Sequence, residues 1–319
     1  MIRQVLLMFT LLFTGVVCAE DFVTTVTARQ VQPWNGFVEI TVGLSCESND
    51  LAEVFCTFAA TNGVTRTALP VSHVRQVGYD TGSGMEWRRR FIWDVAADLG
   101  EVKISDVALT VDAQGPVQLW DNGPYWAPCN IGATRSEEVG CYFWWGDTIG
   151  YMYNGNAWVS IDGKNTMWNF NQDSCPTCGM SSDQLQSKGY IDSTGNLATQ
   201  HDVATVRLGV PWRMPTGEEF ATLISNCTTT WTTHNGVAGY LVTGKGDYAS
   251  KSIFLPASGG GMGSTYSLLG TYGTYWSSTP RKNRSDSAYY IEFTSDYFEQ
   301  HDFDRYCARC VRPVRGSAP

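Results

Sequence analysis

At 319 residues the chain exceeds the usual size of one domain, so two are expected, each large enough to bury a core without help from a metal. A net charge of −9 and an isoelectric point near 4.9 repel phosphate backbones and anionic headgroups, which excludes nucleic acid and membrane surfaces as partners. Charged residues are only 17% of the chain, against roughly 25% in an average soluble protein. With 32 Gly and 12 Trp, this is the balance of a loop-rich extracellular fold held by aromatic side chains.

Residues 1–19 read as a secretory signal: Arg3 is the cation, Val5 to Val17 the apolar run, and Cys18-Ala19 precede a cut before Glu20. Cys18 leaves a lipid anchor open, although Val17 stands where a small residue normally precedes a lipidated cysteine. No later run has the roughly 18 apolar residues of a membrane helix. The mature chain is therefore expected outside the cell or on its surface, without membrane insertion, where disulfides are permitted.

Across 20–113 apolar and polar residues alternate in short segments: Val23 to Val31, Phe37 to Leu44, Val54 to Ala60, Trp87 to Val95 and Val102 to Val111. A period of two with turn residues between runs predicts antiparallel strands. Val38, Ile40, Val42 and Leu44 share one face, to which Trp87, Phe91 and Trp93 add bulk. About seven strands in roughly ninety residues predict an immunoglobulin-like β-sandwich, with residues 114–116 as the linker.

The second domain, 117–316, carries few helix signals. Its clearest helix starts at Thr216, whose hydroxyl is placed to accept from the backbone of Glu219 while the Glu219 carboxylate reaches back, a capping box. Phe220, Leu223 and Ile224 then bury one face, and the helix is expected to end near Asn226. A second helix is expected around His201 to Leu208, and short strands joined by long loops elsewhere.

Two CxxC pairs, Cys175/Cys178 and Cys307/Cys310, leave structural disulfides, free thiols and a zinc site open. Cys46 and Cys56 are placed to bridge strands of the first domain. Removal of the signal leaves nine of the ten cysteines, an odd number, so one is unpaired or bonded to another chain. His201-Asp202 and His301-Asp302 are neighbours whose side chains diverge on a strand, so neither makes a dyad. Asp121-Asn122 and Gly146-Asp147 suit turns better than ion sites, and Gly259-Gly260-Gly261 lacks the lysine of a phosphate loop and reads as flexible. No catalytic residue, metal ligand or cofactor is assigned.

Charge concentrates near the end. The 35 residues from Arg281 to Arg315 hold seven basic and six acidic residues, interleaved with aromatics in a mixture like that of antibody paratopes. This segment either forms a binding face or simply alternates inward aromatics with outward charges. The binding face is assigned to Arg284, Asp286, Tyr289, Asp296, Tyr297, Phe298, His301, Phe303 and Arg305.

The blocks Trp120 with Gly123-Pro124-Tyr125-Trp126, Asn130-Ile131-Gly132-Ala133-Thr134, Tyr142-Phe143-Trp144-Trp145-Gly146-Asp147, Pro211-Trp212-Arg213-Met214-Pro215-Thr216-Gly217-Glu218-Glu219-Phe220, Ser252-Ile253-Phe254-Leu255-Pro256-Ala257, Tyr275-Trp276-Ser277-Ser278-Thr279-Pro280 and Cys310-Val311-Arg312-Pro313-Val314-Arg315 together resemble the Fibrobacter succinogenes major paralogous domain family over residues 117–316. The resemblance implies a C-type lectin-like α+β domain in a mostly β chain, distantly related to formylglycine-generating enzymes. It implies a secreted or cell-surface, non-catalytic protein that binds a protein or glycan ligand. The calcium signatures of sugar-binding C-type lectins are absent, as is the RGGSW-type segment of the enzymes. Some lectin-like domains of this kind are diversified by retroelements that rewrite adenine-containing codons, and many residues from Asn283 to Cys310 belong to the resulting set. A structural or adhesive cell-envelope component is the alternative, and a metal-dependent enzyme related to formylglycine-generating enzymes ranks third.

Overall fold

Alternation organises the first unit, Met1–Gly115. The computed structural model describes residues 8–9, 23–31, 36–45, 55–62, 68–69, 71, 74–81, 86–99, 106–133, 135–160, 166–167 and 170–316. The first unit holds β1 (Met8–Phe9), β2 (Val23–Gln30), β3 (Phe37–Ser45), β4 (Phe55–Asn62), β5 (Ala68–Leu69), β6 (Val74–Thr81), β7 (Glu86–Asp94), α1 (Val95–Leu99) and β8 (Asp106–Gln114). Among the described residues two four-stranded sheets result, ordered β1-β8-β4-β5 and β2-β3-β7-β6. Because successive strand side chains face opposite ways, Val38, Ile40 and Val42 are buried while Glu39 and Thr41 between them are not. Register places Val38 opposite Trp93 and Ile40 opposite Phe91. Phe58 of the other sheet meets Phe91 edge-on at 4.7 Å, so both sheets close over one core. Cys46 lies outside the described residues, and with it the bridge to Cys56.

The second unit, Pro116–Pro319, is built from shorter pieces. They are β9 (Val117–Gln118), β10 (Tyr125–Trp126), β11 (Tyr151–Tyr153), β12 (Trp158–Ser160), β13 (Thr166–Met167), α2 (Ser182–Ser187), α3 (Val203–Leu208), β14 (Trp212–Arg213), α4 (Gly217–Asn226), β15 (Thr228–His234), β16 (Val237–Thr243), β17 (Ser252–Pro256), β18 (Gly260–Met262), β19 (Thr265–Ser267), β20 (Gly273–Pro280), β21 (Ser287–Phe293), β22 (Phe298–Asp304) and β23 (Val314–Arg315). Among the described residues five small sheets form: β14-β23-β10-β9, β11-β12-β13, β15-β16-β17, β18-β19 and β20-β21-β22. Strands this short bury little individually, and the bulk comes from Trp126, Trp145, Trp158, Trp212 and Trp276, all fully buried. The described chain is mostly β with few helices.

Helix α4 begins as the capping box requires. Glu219 N–H donates to Thr216 Oγ1 at 3.1 Å, and Thr216 N–H donates to Glu219 Oε2 at 2.8 Å. Arg213 then pairs with the same carboxylate through both terminal nitrogens, at 2.7 and 2.6 Å, a bidentate geometry that fixes the entry to the helix. Helix α3 starts at Val203, capped by Asp202, whose carboxylate accepts the backbone N–H groups of Ala204 and Thr205 and, through its other oxygen, that of Met214. Asp202 is thus committed to the backbone, while the ring of its neighbour His201 lies 4.2 Å from that of Tyr190.

The chain's last segment is stitched into the core. Arg312 is fully buried and donates to Asn130 Oδ1 at 2.8 Å and to the carbonyls of Ala127, Pro128 and Phe254 at 3.1, 3.0 and 2.8 Å. Removing a buried hydrogen-bonded charge strands its acceptors and typically costs about 3–5 kcal/mol. Arg312→Met is therefore expected to lower the unfolding free energy by about 3 kcal/mol or more in denaturant titrations, whereas Arg284→Met, at an exposed ion pair, changes it by less than about 1 kcal/mol.

Burial pushes the Asp202 carboxyl up to about 6, against the backbone hydrogen bonds that oppose the rise. With a folded pKa above the roughly 3.9 of an unfolded Asp, its contribution to stability is full below about pH 4 and is lost as pH rises toward 6. A decline of at most ~3 kcal/mol across that window is expected from urea unfolding at successive pH values. Asp202→Asn removes this decline even though its amide nitrogen faces the Met214 N–H and lowers the overall stability.

Candidate functional site

The sheet β20-β21-β22 divides the charged C-terminal segment into two faces. Register sets Ala288 opposite Phe303, Tyr290 opposite His301, Glu292 opposite Glu299 and Phe293 opposite Phe298. Alternation then puts Tyr290, Glu292, His301 and Phe303 on one face, and Tyr289, Ile291, Phe293, Phe298 and Gln300 on the other. The second face lies against α4. Gln300 Nε2 donates to the Gly217 carbonyl at 2.6 Å, and a Cβ at Gly217 would stand 3.4 Å from that of Tyr289, so the start of the helix packs directly on this face.

The first face opens into a groove of about 460 Å³, bounded on its other sides by β18, β19 and the segment around Arg309. Glycine at 261 is required on this side, because a Cβ would run into the Trp158 ring. Glu292 is caged within it. The hydroxyls of Tyr272 and Tyr290 both donate to its Oε2, that of Tyr297 donates to Oε1 at 3.2 Å, and His301 Nε2 lies 3.6 Å from Oε1. Burial alone would raise its pKa, yet the phenol hydrogen bonds and the nearby His301 outweigh it and hold the carboxyl below its ordinary range. Burial, with the bond to Glu292, pushes Tyr290 up to about 12 in spite of the Arg309 charge.

Arg309 completes the floor. Its guanidinium carbon stacks 3.5 Å from the centroid of Tyr290 and 4.8 Å from that of Trp276, with Phe303 at 5.7 Å. The side chain is only 5% exposed, and its Nε has no hydrogen-bond partner. A buried cation without acceptors is costly even against aromatic faces. The groove therefore presents one satisfied carboxylate and one guanidinium whose buried Nε is unpartnered.

Of the residues assigned from sequence, His301 and Phe303 line the groove, and Tyr297 reaches it through Glu292. The others do not gather there. Arg284 is exposed and pairs with Asp302 at 3.0 Å; Asp286 accepts from Gly179 N–H at 2.7 Å; Asp296 is exposed in the turn before β22. Tyr289 lies on the helix side, bonded to and stacked under Arg281. Two assignments are corrected. Phe298 belongs to the core, stacked on Phe293 at 5.2 Å. Arg305 is fully buried, donating to the carbonyls of Ser287, Thr177 and Met180 over the Trp145 ring.

Of the three states left open for the thiols, the structure has the unbridged one. Cys141, Cys175, Cys178, Cys227, Cys307 and Cys310 are free, and among the described residues no group of three or more His, Cys, Asp or Glu is arranged to hold a metal ion. Asp147 accepts from the N–H groups of Ile149 and Gly150, which makes it a turn residue, and Gly260 belongs to strand β18 instead of a flexible loop. Comparison with protein-family models, curated proteins and solved structures finds no match to this chain.

The residues assigned from sequence leave out Tyr272, Tyr290, Glu292 and Arg309. The signal available was the glycine run at 259–261, which permits close packing against an aromatic floor. If the phenols hold Glu292 ionised, removing one must raise its titration midpoint. In Tyr290→Phe the Glu292 carboxyl, followed by NMR through pH 2–6, is expected to titrate at higher pH than in the unsubstituted protein.

Proposed function

We propose that the chain is a non-catalytic recognition protein, secreted or held at the cell surface, in which an immunoglobulin-like sandwich carries a C-type lectin-like domain. The groove beside β21 and β22 is its ligand site, and the ligand is a protein or glycan. The observation that carries this reading is the pairing, in one groove, of exposed aromatic surface at Phe303 with the unsatisfied guanidinium of Arg309. Pockets of this kind, mainly apolar with a few placed polar groups, are where ligands bind.

The resemblance to formylglycine-generating enzymes at Arg213 to Phe220 has a structural explanation, since Arg213, Thr216 and Glu219 are engaged with one another at the start of α4. Diversification of the C-terminal segment fits unequally along it. Rewriting Ile291, Phe293, Phe298 or Arg305 would break the core, so exposed positions such as Arg284, Asp296, His301 and Phe303 are the ones free to vary.

Screening the purified protein against peptide and glycan arrays tests the reading. An exposed aromatic anchor typically carries 2 kcal/mol or more of binding energy. Phe303→Ala is therefore expected to weaken binding by tenfold or more while leaving thermal unfolding nearly unchanged. Full binding by that variant would place the site elsewhere. Concentration-dependent self-association without any array ligand would favour a structural envelope component.

A further inference from the structure

We propose that the groove takes a free carboxylate borne on an apolar residue, the C-terminal end of a peptide, with the carboxylate on Arg309 and the side chain against Phe303 and Leu268. This rests on the groove being the ligand site, and adds the chemistry of the ligand.

The polar inventory decides the sign. Glu292 accepts from three phenols and faces His301, which occupies the roughly four lone-pair sites of a carboxylate. It asks for no donor from a ligand. Asp302, also at the groove, is engaged by Arg284 and lies 3.8 Å from Arg281. Arg309 alone among these charged groups makes no ion pair or side-chain hydrogen bond, although it is nine-tenths buried. What the groove lacks is an acceptor, preferably an anionic one with the planar fork that a guanidinium matches.

The rim decides the body of the ligand. Met262, Leu268 and Phe303 are 54%, 58% and 43% exposed. Leu268 also holds a left-handed backbone, with φ of 64°, which costs a non-glycine residue roughly 1–2 kcal/mol. The turn that imposes it is fixed by the N–H groups of Thr271 and Tyr272, both donating to the Leu268 carbonyl. A large apolar side chain is thus displayed at a strained position beside the groove, and such strain clusters at ligand clamps. A neutral sugar offers many hydroxyls that would need both donors and acceptors, and the acceptors here are taken. An apolar residue ending in a carboxylate supplies the missing acceptor and covers the rim. Capture of chain termini is an established mode of peptide recognition.

Isothermal titration of the whole protein with acetylated tripeptides ending in Phe or Leu, as free acids and as C-terminal amides, tests the proposal. Neutral and uronic-acid oligosaccharides serve as the alternative probes. The free acids are expected to bind tenfold or more tightly than the amides, the worth of one charge-assisted pair, and Arg309→Lys is expected to narrow that preference. The acid-against-amide comparison needs no variant, so it stands even if Arg309→Lys misfolds. Equal affinity for acids and amides, with both lost in Phe303→Ala, would overturn the carboxylate assignment and leave the groove as the site. Binding of uronic-acid oligosaccharides in preference to the peptides would overturn the peptide terminus, as would no binding of any peptide probe. Peptide binding unaffected by Phe303→Ala would overturn both the inference and the groove.

Discussion

The second unit depends on getting Arg312 into its interior with all three of its guanidinium nitrogens engaged. Few side chains are as expensive to bury as a guanidinium, and this one stays because three carbonyls from two distant segments and the amide of Asn130 converge on it. Convergence of that kind is possible only when residues 127–130 and 254 are already side by side. The backbone around Arg312 completes the arrangement. Ala127 and Ile131 donate to Pro313 and Val311, Trp276 donates to Cys310, and Phe143 exchanges bonds with Arg309. Five small sheets, none long enough to stand alone, become one body because the last segment runs between them and bonds to several.

The same threading explains the thiols. Oxidation suits the expected compartment, but the sulfurs of the two CxxC pairs are not bonded to one another. Cys307 lies within electrostatic reach of Cys175, whereas Cys310 lies by Cys141 and donates to the Val139 carbonyl at 3.2 Å. Three residues apart along the threading segment, the two sulfurs fall in different core clusters. Burial then pushes Cys307 up to about 11 and Cys310 up to about 12, which keeps both protonated and poorly nucleophilic. Cys175 differs: a hydrogen bond from Cys178 holds its pKa down while that of Cys178 rises. Spacing in sequence announces a zinc site or a bridge, and only the fold says where each sulfur goes.

Local signals were legible and long-range ones were not. The capping box at Thr216 is written in four residues, and α4 begins and ends where that box and the apolar spacing place it. The buried stripe of β3 follows from a period of two. The groove, by contrast, joins Tyr272 to Glu292 across twenty residues and Arg309 to Trp276 across more than thirty, through pairings that no local pattern encodes. Within β21 and β22 the alternation was available, but a face cannot be assigned to a strand until something is known to cover the other side. Here α4 covers it, approaching at a glycine that reads locally as part of a cap. That is why Phe298 and Arg305 looked like surface while Tyr290 and Glu292 were not assigned to the site.

Three arginines of one short segment end in three electrostatic situations, and the contrast carries the functional argument. Arg312 has acceptors for every donor group. Arg305 spends two of its nitrogens on carbonyls, leaves Nη2 unpartnered, and rests on Trp145. Arg309 has rings on its faces and no acceptor at all. A fold that satisfies one buried guanidinium completely, a few residues away, evidently has carbonyls to offer, so the bareness of Arg309 is not a general failure of the packing. It occurs where the packing opens to solvent in a groove, beside a carboxylate that three tyrosines have already satisfied and that therefore does not swing over to pair with it. Cation and carboxylate are held apart by separate sets of partners, and this separation is what a site for an external acceptor requires.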